Sequence, residues 1–372
     1  MNNNSITSDV LVVGGGLVGA AIAWGLLDRG LTVTVLDEGD IALRASRGNF
    51  GLVWVQSKGD KMHEYARWTR RSADLWPDFA EHLAEETGIS PSYEKPGGLH
   101  FILSEEEDRR VHAQHQRMHN VNGERGYGAE MLDRRQLDEL VPGLGPEVIS
   151  GSYCKHDGHA NPLLLLRALH RGLGLRGGRY IPDGRVETLE RDGDGFRATT
   201  SHGSYLGGRI VLAAGHGNKV LGPMLGLDVP IHPEKGEILV TERVAPLLPM
   251  PTHVLRQTNE GTIMIGDSHE NTGYSTDSVT PVMSGIAQYA IRCFPALRNL
   301  RVVRSWGAVR ILSADGFPVY QQSTDFSGAY TINCHSGVTL AAAHAGPLAR
   351  MIAEGEFEPE ITAFSPRRFD HA

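Results

Sequence analysis

A glycine-rich turn near the amino terminus carries residue types suited to holding phosphate. Gly14, Gly16 and Gly19 follow the apolar run 10–13 and precede the apolar run 20–27. In a strand, turn and helix of this kind, the first glycine permits the tight turn and the second lets a pyrophosphate approach the backbone. The third lets the helix pack closely on the strand, and the helix dipole stabilises the negative charge. The spacing therefore predicts the start of a dinucleotide-binding βαβ unit.

A carboxylate follows where such a unit needs one. Gly30 ends the helix, residues 31–36 have the composition of a second strand, and Asp37 comes directly after them. A carboxylate about twenty residues beyond the turn binds a ribose hydroxyl in this type of site. A glycine-rich turn in some other α/β fold is the alternative. The order of strand, turn, helix, strand and acid favours the dinucleotide site.

Composition excludes several other classes of site. The chain has 372 residues and a formal net charge of −8, with its basic residues dispersed, which argues against nucleic acid as the main partner. Cys154, Cys293 and Cys334 are far apart, so neither a disulfide framework nor a zinc ribbon is expected. This cysteine usage favours a reducing, cytoplasmic location.

The histidines and the amino terminus add two further expectations. His112, His115 and His119 share one face of a predicted helix, which we interpret as a solvated face rather than a metal site, so no metal is expected. Residues 1–9 are polar and lack the basic start of a signal peptide. The apolar residues 10–27 are interrupted by the glycine turn, so they are not expected to span a membrane.

The elements that must position this turn are predicted to form two lobes. Aromatic core positions favour a long helix over 62–87, and small residues end a buried strand at 208–215 that returns to the nucleotide domain. The stretch that follows the long helix lacks βαβ alternation, so it is assigned to the second lobe. The remaining predicted helices are 105–120, 132–140, 161–173, 282–294 and 338–354, and the remaining predicted strands include 97–103, 230–241 and a hairpin within 252–266.

Four blocks make the chain resemble the FAD-dependent D-amino-acid oxidase superfamily. They are residues 12–19 with Asp37, residues 45–51, residues 211–215, and residues 306–318 followed by 335–337. The nearest groups are glycine oxidase, sarcosine oxidase and the small subunits of opine, hydroxyproline and cyanide-forming dehydrogenases. The resemblance covers nearly the whole chain.

This resemblance implies an α/β fold in which an FAD-binding, Rossmann-like domain is interleaved with a second, α+β substrate domain built on an antiparallel sheet. The FAD-binding domain is expected to comprise residues 8–90, 150–224 and 306–372. The substrate-binding domain is expected to comprise residues 91–149 and 225–305.

The resemblance also implies which residues contact FAD. The family often has Gly-His-Gly before the final helix, whereas this chain has Cys334, His335 and Ser336, and we expect the FAD to be non-covalently bound. The helix that starts after Gly337 would direct its positive end at the flavin pyrimidine. The implied cofactor residues are Gly14, Gly16, Leu17, Val18, Gly19, Asp37, Glu38, Ser46, Arg47, Asn49, Phe50, Gly51, Leu52, Val186, Ala214, Gly215, Gly337, Val338 and Thr339.

Four residues are implied at the reacting end of the cofactor. Arg310 matches the arginine that binds the substrate carboxylate in glycine oxidase, and a structural salt bridge is the alternative role. Arg256 faces either the pocket or the opposite side of its strand, and in the pocket it would suit a substrate with two carboxylates. His335 either touches substrate or flavin, or has a capping or packing role. Met264 occupies the position of the oxygen-activating lysine of sarcosine oxidases.

The implied activity is FAD-dependent oxidation of a C–N bond in a small amine that carries a carboxylate. Candidate substrates are glycine, sarcosine, iminodiacetate, an opine or a D-amino acid, with O₂ or a quinone as electron acceptor. Two alternatives remain: the flavin subunit of a heteromeric opine- or hydroxyproline-type dehydrogenase, and a non-catalytic flavoprotein assembly module. Both a homo-oligomer and a complex with partner subunits are open. An NAD-dependent dehydrogenase fits the interleaved blocks less well.

Overall fold

The computed structural model describes residues 6–39, 45–122 and 128–370, with the backbone alone for residues 6 and 120–122. The first five residues of the polar amino-terminal segment lie outside the described residues. The described helices are α1 (Leu17–Leu27), α2 (His63–Thr87), α3 (Glu105–Asn122), α4 (Arg134–Leu140), α5 (Pro162–Leu175), α6 (Asn218–Leu221), α7 (Thr280–Cys293) and α8, which joins Ala341–Ala343, a π-helical turn at His344–Leu348 and Ala349–Glu354.

The described strands form a large sheet, two smaller antiparallel sheets and a two-stranded ribbon. The strands are β1 (Ile6–Val13), β2 (Val33–Leu36), β3 (Leu52–Val53), β4 (Gly98–Ile102), β5 (Ala129–Asp133), β6 (Ser150–Cys154), β7 (Gly158–His159), β8 (Arg179–Ile181), β9 (Val186–Asp192), β10 (Gly195–Thr200), β11 (Gly203–Leu212), β12 (Ile231–Arg243), β13 (Leu255–Gln257), β14 (Thr262–Ile265), β15 (Val302–Ser313), β16 (Val319–Gln322) and β17 (Ala329–Asn333).

The large sheet has the order β16-β17-β11-β1-β2-β8, with β9 and β10 attached to β11. β1 pairs in parallel with β2 and β11, and β11 pairs in parallel with β17. Val10 and Val12 join a buried cluster with α1, α2, α5 and α8, whereas Leu11 and Val13 join a second cluster on the other side. Because successive side chains of a strand point to opposite faces, an uninterrupted apolar run fits a strand covered on both sides.

A four-stranded antiparallel sheet of order β13-β14-β12-β15 and a three-stranded sheet of order β4-β6-β5 are built mainly from the part of the chain that was predicted to form the second lobe. β13 and β14 form the hairpin that the sequence predicted. β15 pairs with β12 from Val302 to Ser313, so the predicted domain boundary at residue 306 falls inside a strand of this sheet. The division of the chain into two domains otherwise stays a prediction.

Two expectations about local structure were wrong. Residues 132–140 are not one helix, because Asp133 ends β5 and caps α4 by accepting a hydrogen bond from Gln136 N at 2.8 Å. The predicted solvated histidine face on α3 is also incorrect in part. His115 is buried, and its Nε2 lies 2.9 Å from Ser152 Oγ.

None of the helices formed by the described residues combines the length and the apolar character needed to cross a membrane. Those residues also contain no group of three or more acidic, histidine or cysteine side chains able to hold a metal ion.

Candidate active site

The candidate site is a cavity of about 1060 Å³ that opens along the carboxyl ends of parallel strands. Its walls include Gly14 after β1, Asp37 after β2, Ala214 after β11 and Cys334 after β17. Ligands of open α/β sheets bind at this edge, because the loops there diverge from a common line of strand ends.

The glycine turn is packed too closely for larger residues. Gly14 has a φ of 104°, and a Cβ there would lie 2.4 Å from Ala213 O. A Cβ on Gly19 would lie 1.9 Å from Gly14 O, so any side chain would push α1 away from the turn. The turn and helix therefore have the close approach that their spacing predicted.

The turn also has the features of an anion site. α1 begins after Gly16 with no acidic residue in its first turn, and Gly16, Leu17 and Val18 line the cavity. Leu17 N donates to Ser46 Oγ at 2.9 Å, while Asp37 Oδ2 accepts from Gly15 N at 2.6 Å. A helix N-terminus that has no acidic residue in its first turn and opens into a cavity fits a pyrophosphate, so these residues are compatible with a dinucleotide cofactor.

The turn at Gly337–Thr339 lines the cavity next to the start of α1, since a Cβ on Gly337 would lie 3.7 Å from Val18 Cγ2, and it is fixed by α2. Thr339 O accepts hydrogen bonds from Trp76 Nε1 at 3.0 Å and Ser72 Oγ at 2.7 Å. Thr339 Oγ1 in turn donates to Leu52 O at 3.1 Å. The regular helix starts at Ala341 rather than in the 337–339 turn, so the predicted helix start is about one turn early.

Most of the residues implied by the resemblance line this cavity. They are Gly14, Gly16, Leu17, Val18, Asp37, Glu38, Ser46, Asn49, Phe50, Leu52, Val186, Ala214, Gly215, Gly337, Val338, Thr339, Arg310 and His335.

Three of the implied cofactor residues lie elsewhere. Gly19 packs against the turn, as described above. Arg47 lines a separate cavity together with Gly39. Gly51 lies against Ala160 O, which a Cβ would approach to 2.4 Å. Their direct contact with a cofactor stays a prediction.

Arg310 stands among charged residues at one part of the cavity. Its Nη1 donates to Ser268 O at 2.8 Å and to Glu234 Oε1 at 3.1 Å, and its Nη2 donates to Asp267. His269 bridges the same two carboxylates, with Nδ1 2.7 Å from Glu234 Oε1 and Nε2 3.4 Å from Asp267 Oδ2. Arg310 therefore forms the ion pairs of its alternative, structural role and also lines the cavity, while its binding of a substrate carboxylate stays a prediction.

Lys58 and His335 complete this charged group. Lys58 Nζ lies 3.3 Å from His335 Nε2, and both residues line the cavity. Burial lowers the pKa of Lys58 to about 8, and burial with the nearby positive charges of Lys58 and Arg310 lowers the pKa of His335 well below its usual range. We call Lys58, Glu234, Asp267, His269, Arg310 and His335 the charged end of the cavity.

The state of the charged end follows from these neighbours. The hydrogen bond to Asp267 raises the pKa of His269 to about 9, so its imidazole is protonated at neutral pH. Burial raises the pKa of Asp267, but the hydrogen bond from His269 and the charge of Arg310 outweigh it and lower that pKa overall. At neutral pH, two cations here face two carboxylates, beside a neutral His335 and the ammonium of Lys58.

Arg256 and Met264 are not among the described residues that line the cavity. The Arg256 guanidinium is buried, where Nε donates to Phe50 O at 2.9 Å and Nη2 donates to Met264 Sδ at 2.8 Å. Its Nη1 lies 3.4 Å from His159 Nδ1. Each guanidinium nitrogen of Arg256 therefore has a partner inside the protein. The geometry gives no support to its predicted contact with substrate.

Sequence reasoning missed a further wall between the two smaller sheets. The rings of His100 and His253 stack there with centroids 3.9 Å apart, and Tyr289 and Glu107 line the same part of the cavity. It missed Lys58, Asp267 and His269 as well. Asp267 and His269 follow shortly after the end of β14, and both line the cavity. Polar residues just after a strand were therefore the signal that could have indicated them.

Comparisons with known proteins agree with this architecture. The profile of the family described as DAO, FAD dependent oxidoreductase, matches residues 9–351. The chain is 45% identical over 363 residues to an opine oxidase subunit of Rhizobium meliloti, covering 97% of this chain and 98% of that protein. It is 46% identical over 364 residues to the corresponding opine oxidase subunit of Agrobacterium tumefaciens (strain Ach5), covering 97% of each. The crystal structure of glycine oxidase from Geobacillus kaustophilus has a TM-score of 0.89 at 22% identity, covering 97% of this chain and 98% of that one, which confirms the expected fold class.

Proposed function

The chain belongs to the DAO family of FAD-dependent oxidoreductases, and on that premise we propose that it oxidises a C–N bond in an N-substituted amino acid of the opine or iminodiacetate type. Glycine, sarcosine and D-amino acids are the simpler members of the same chemical class. The observation that carries the proposal is the charged end, where Arg310 lines the cavity beside His335 and the 337–339 turn. A guanidinium there suits a carboxylate next to the reacting carbon.

The residues that would hold the adenosine and pyrophosphate parts of the cofactor line the same cavity. The N-terminus of α1 and Ser46 would receive the pyrophosphate, and Asp37 would bind the adenosine ribose. Val186 and Ala214 would enclose the adenine end, since both line the cavity. Bound FAD supplies the two-electron acceptor that turns the amine into an imine, which water hydrolyses to an oxo acid and an amine.

The chain's own residues would orient and shield the substrate. Arg310 would bind the carboxylate by exchanging part of its contact with Asp267, which is exposed at this end of the cavity. This fixes the α-carbon relative to the 337–339 turn. The neutral imidazole of His335 would accept a hydrogen bond without adding charge beside the amine. No strong base is required, because the amine reacts through its own lone pair.

A second candidate is the flavin subunit of a heteromeric opine-type dehydrogenase. It is favoured because two relatives that match nearly the whole chain are named as subunits of an opine oxidase. In that arrangement electrons would pass to partner chains, and O₂ would be a poor acceptor for the isolated chain. The amine oxidation would be the same in both candidates.

The decisive experiment is anaerobic bleaching of the flavin absorbance of the purified holoprotein. We expect bleaching with secondary-amine dicarboxylates such as iminodiacetate or an opine, and weaker bleaching with sarcosine or glycine. A flavin that stays oxidised across the whole amine panel would overturn the proposal and favour an assembly role. Two measurements distinguish the candidates. Peroxide formation by the isolated chain favours a free oxidase, whereas partner chains that co-purify under native conditions favour a subunit of a heteromeric enzyme.

A further inference from the structure

Lys58 lies at the charged end of the cavity, where its Nζ is 3.3 Å from His335 Nε2. Among the described residues, no carboxylate lies within ion-pairing distance of Lys58 Nζ, and its hydrogen-bonding neighbour is the neutral His335. The buried Lys235 shows the usual arrangement, with carboxylates of Glu237 and Glu270 at 3.0 and 2.9 Å. Lys58 is only partly buried, but it is partly withdrawn from water without a paired carboxylate, so its ammonium favours an anion from outside the chain.

The turn that carries Lys58 is rigidly held. Asp157, which is fully buried, accepts hydrogen bonds from Val55 N at 2.5 Å and Gln56 N at 3.2 Å, just before the lysine. Ser57 and Lys61 on either side both have positive φ values, of 65° and 78°. Non-glycine residues keep this conformation only where the surrounding structure imposes it. The backbone of Lys58 is therefore held in place before any ligand binds.

The other charges at this end already balance. Arg310 and protonated His269 face Glu234 and Asp267, two cations against two carboxylates. Lys58 is the excess positive charge of the group. An incoming anion gains most from Lys58, because it does not have to displace a carboxylate of the chain to reach it.

We propose that Lys58 forms a second carboxylate subsite, which binds the carboxylate of the substrate's N-substituent while Arg310 binds the carboxylate next to the oxidised carbon. The inference rests on the proposed function and defines its substrate class as amines with a carboxylate on each side of nitrogen. It replaces the buried Arg256 as the second cation for such substrates. Two fixed cations hold both ends of the C–N–C unit, which orients the bond to be oxidised.

The test uses two unreactive ethers that lack the amine nitrogen: diglycolate has two carboxylates and methoxyacetate has one. Their dissociation constants are measured with the holoprotein by calorimetry and by perturbation of the flavin spectrum. We expect Lys58→Met to weaken diglycolate about 10- to 100-fold and methoxyacetate less than about threefold. Lys58→Arg should retain most of the diglycolate affinity. Lys61→Met, an exposed lysine of the same turn, is the matched control and should change neither constant.

Equal weakening of both ethers by Lys58→Met, or no weakening of either, would overturn the second subsite. These binding readouts do not depend on turnover. Failure of the proposed function would instead appear as wild-type flavin that no amine reduces, so the two failures are distinguishable. In a protein that does turn over, Lys58→Met should also raise KM for iminodiacetate far more than KM for sarcosine.

Discussion

Replacing Arg310 by methionine removes the guanidinium while keeping most of the side-chain stem, and it tests the carboxylate-binding role directly. In the structure Nη1 donates to Ser268 O and Glu234, and Nη2 donates to Asp267. The side chain is 20% exposed, so solvent screens its charge only in part. In the variant, His269 is the remaining cation that pairs with Glu234 and Asp267. A substrate carboxylate would then be repelled by these two carboxylates, with only one positive charge to offset them.

The magnitude follows from these contacts. A hydrogen bond between charged groups contributes about 1.5–3 kcal/mol, and a carboxylate that binds Arg310 makes up to two while one existing contact is given up. The net loss of transition-state stabilisation is then about 2–4 kcal/mol, or a decrease in kcat/KM of about 30- to 1000-fold. We expect the loss with every carboxylate-bearing substrate, unlike the selective effect of the Lys58 variant.

The assay is the rate of anaerobic flavin reduction as a function of substrate concentration, normalised to FAD content. Arg304→Met is the matched control, because Arg304 lies on the same strand β15, is exposed and stacks over Trp306 at 5.5 Å. If Arg310→Met keeps kcat/KM within about threefold of the wild type at equal FAD occupancy, the carboxylate-binding role is incorrect and Arg310 is a structural ion pair.

Three further outcomes are expected. Gly19→Ala should lower FAD occupancy, measured from the ratio of flavin to protein absorbance, because its Cβ would lie 1.9 Å from Gly14 O; Gly174→Ala, where a Cβ meets no atom within 4 Å, should leave that ratio unchanged. Lys235→Met should lower the free energy of urea unfolding by about 3–5 kcal/mol, because it strands two carboxylate partners, and an unchanged midpoint would contradict that account. Burial lowers the pKa of Lys58 to about 8, so its ammonium is present below that pH and lost above it. The affinity for diglycolate should therefore fall as the pH rises through 8. An affinity that does not change with pH would argue against the subsite.

The glycine turn and its strand were predictable because local spacing determines them. Gly14, Gly19 and Asp37 act within one βαβ unit, where strand, turn and acid follow each other in sequence. Arg256 was not predictable in the same way, since a one-residue change of register reverses the face of a strand. The hydrogen bonds of its guanidinium, among them the one to Phe50 O, which is distant in sequence, show where the side chain lies.

Lys58 was missed for a similar reason. It lies in a short turn whose composition resembles an ordinary surface loop, and nothing nearby in sequence marks it as a functional residue. Its environment is made by Asp157 and His335, which come from other parts of the chain. Charge balance between such segments is a property of the folded molecule, so no local pattern records it.

The order of strands in the large sheet has a consequence for biosynthesis. β1 is synthesised long before β17, yet both belong to the same sheet, where β11 lies between them. The 337–339 turn, which lines the cavity next to the start of α1, is synthesised later still. A nascent chain therefore leaves the backbone N–H and C=O groups along one edge of β11 unpaired until β17 has been made, and pairing of such distant segments is slow. Flavin capture should accordingly wait for the 337–339 turn, and carboxyl-terminal truncations that remove β17 should yield chains that aggregate rather than a smaller flavoprotein.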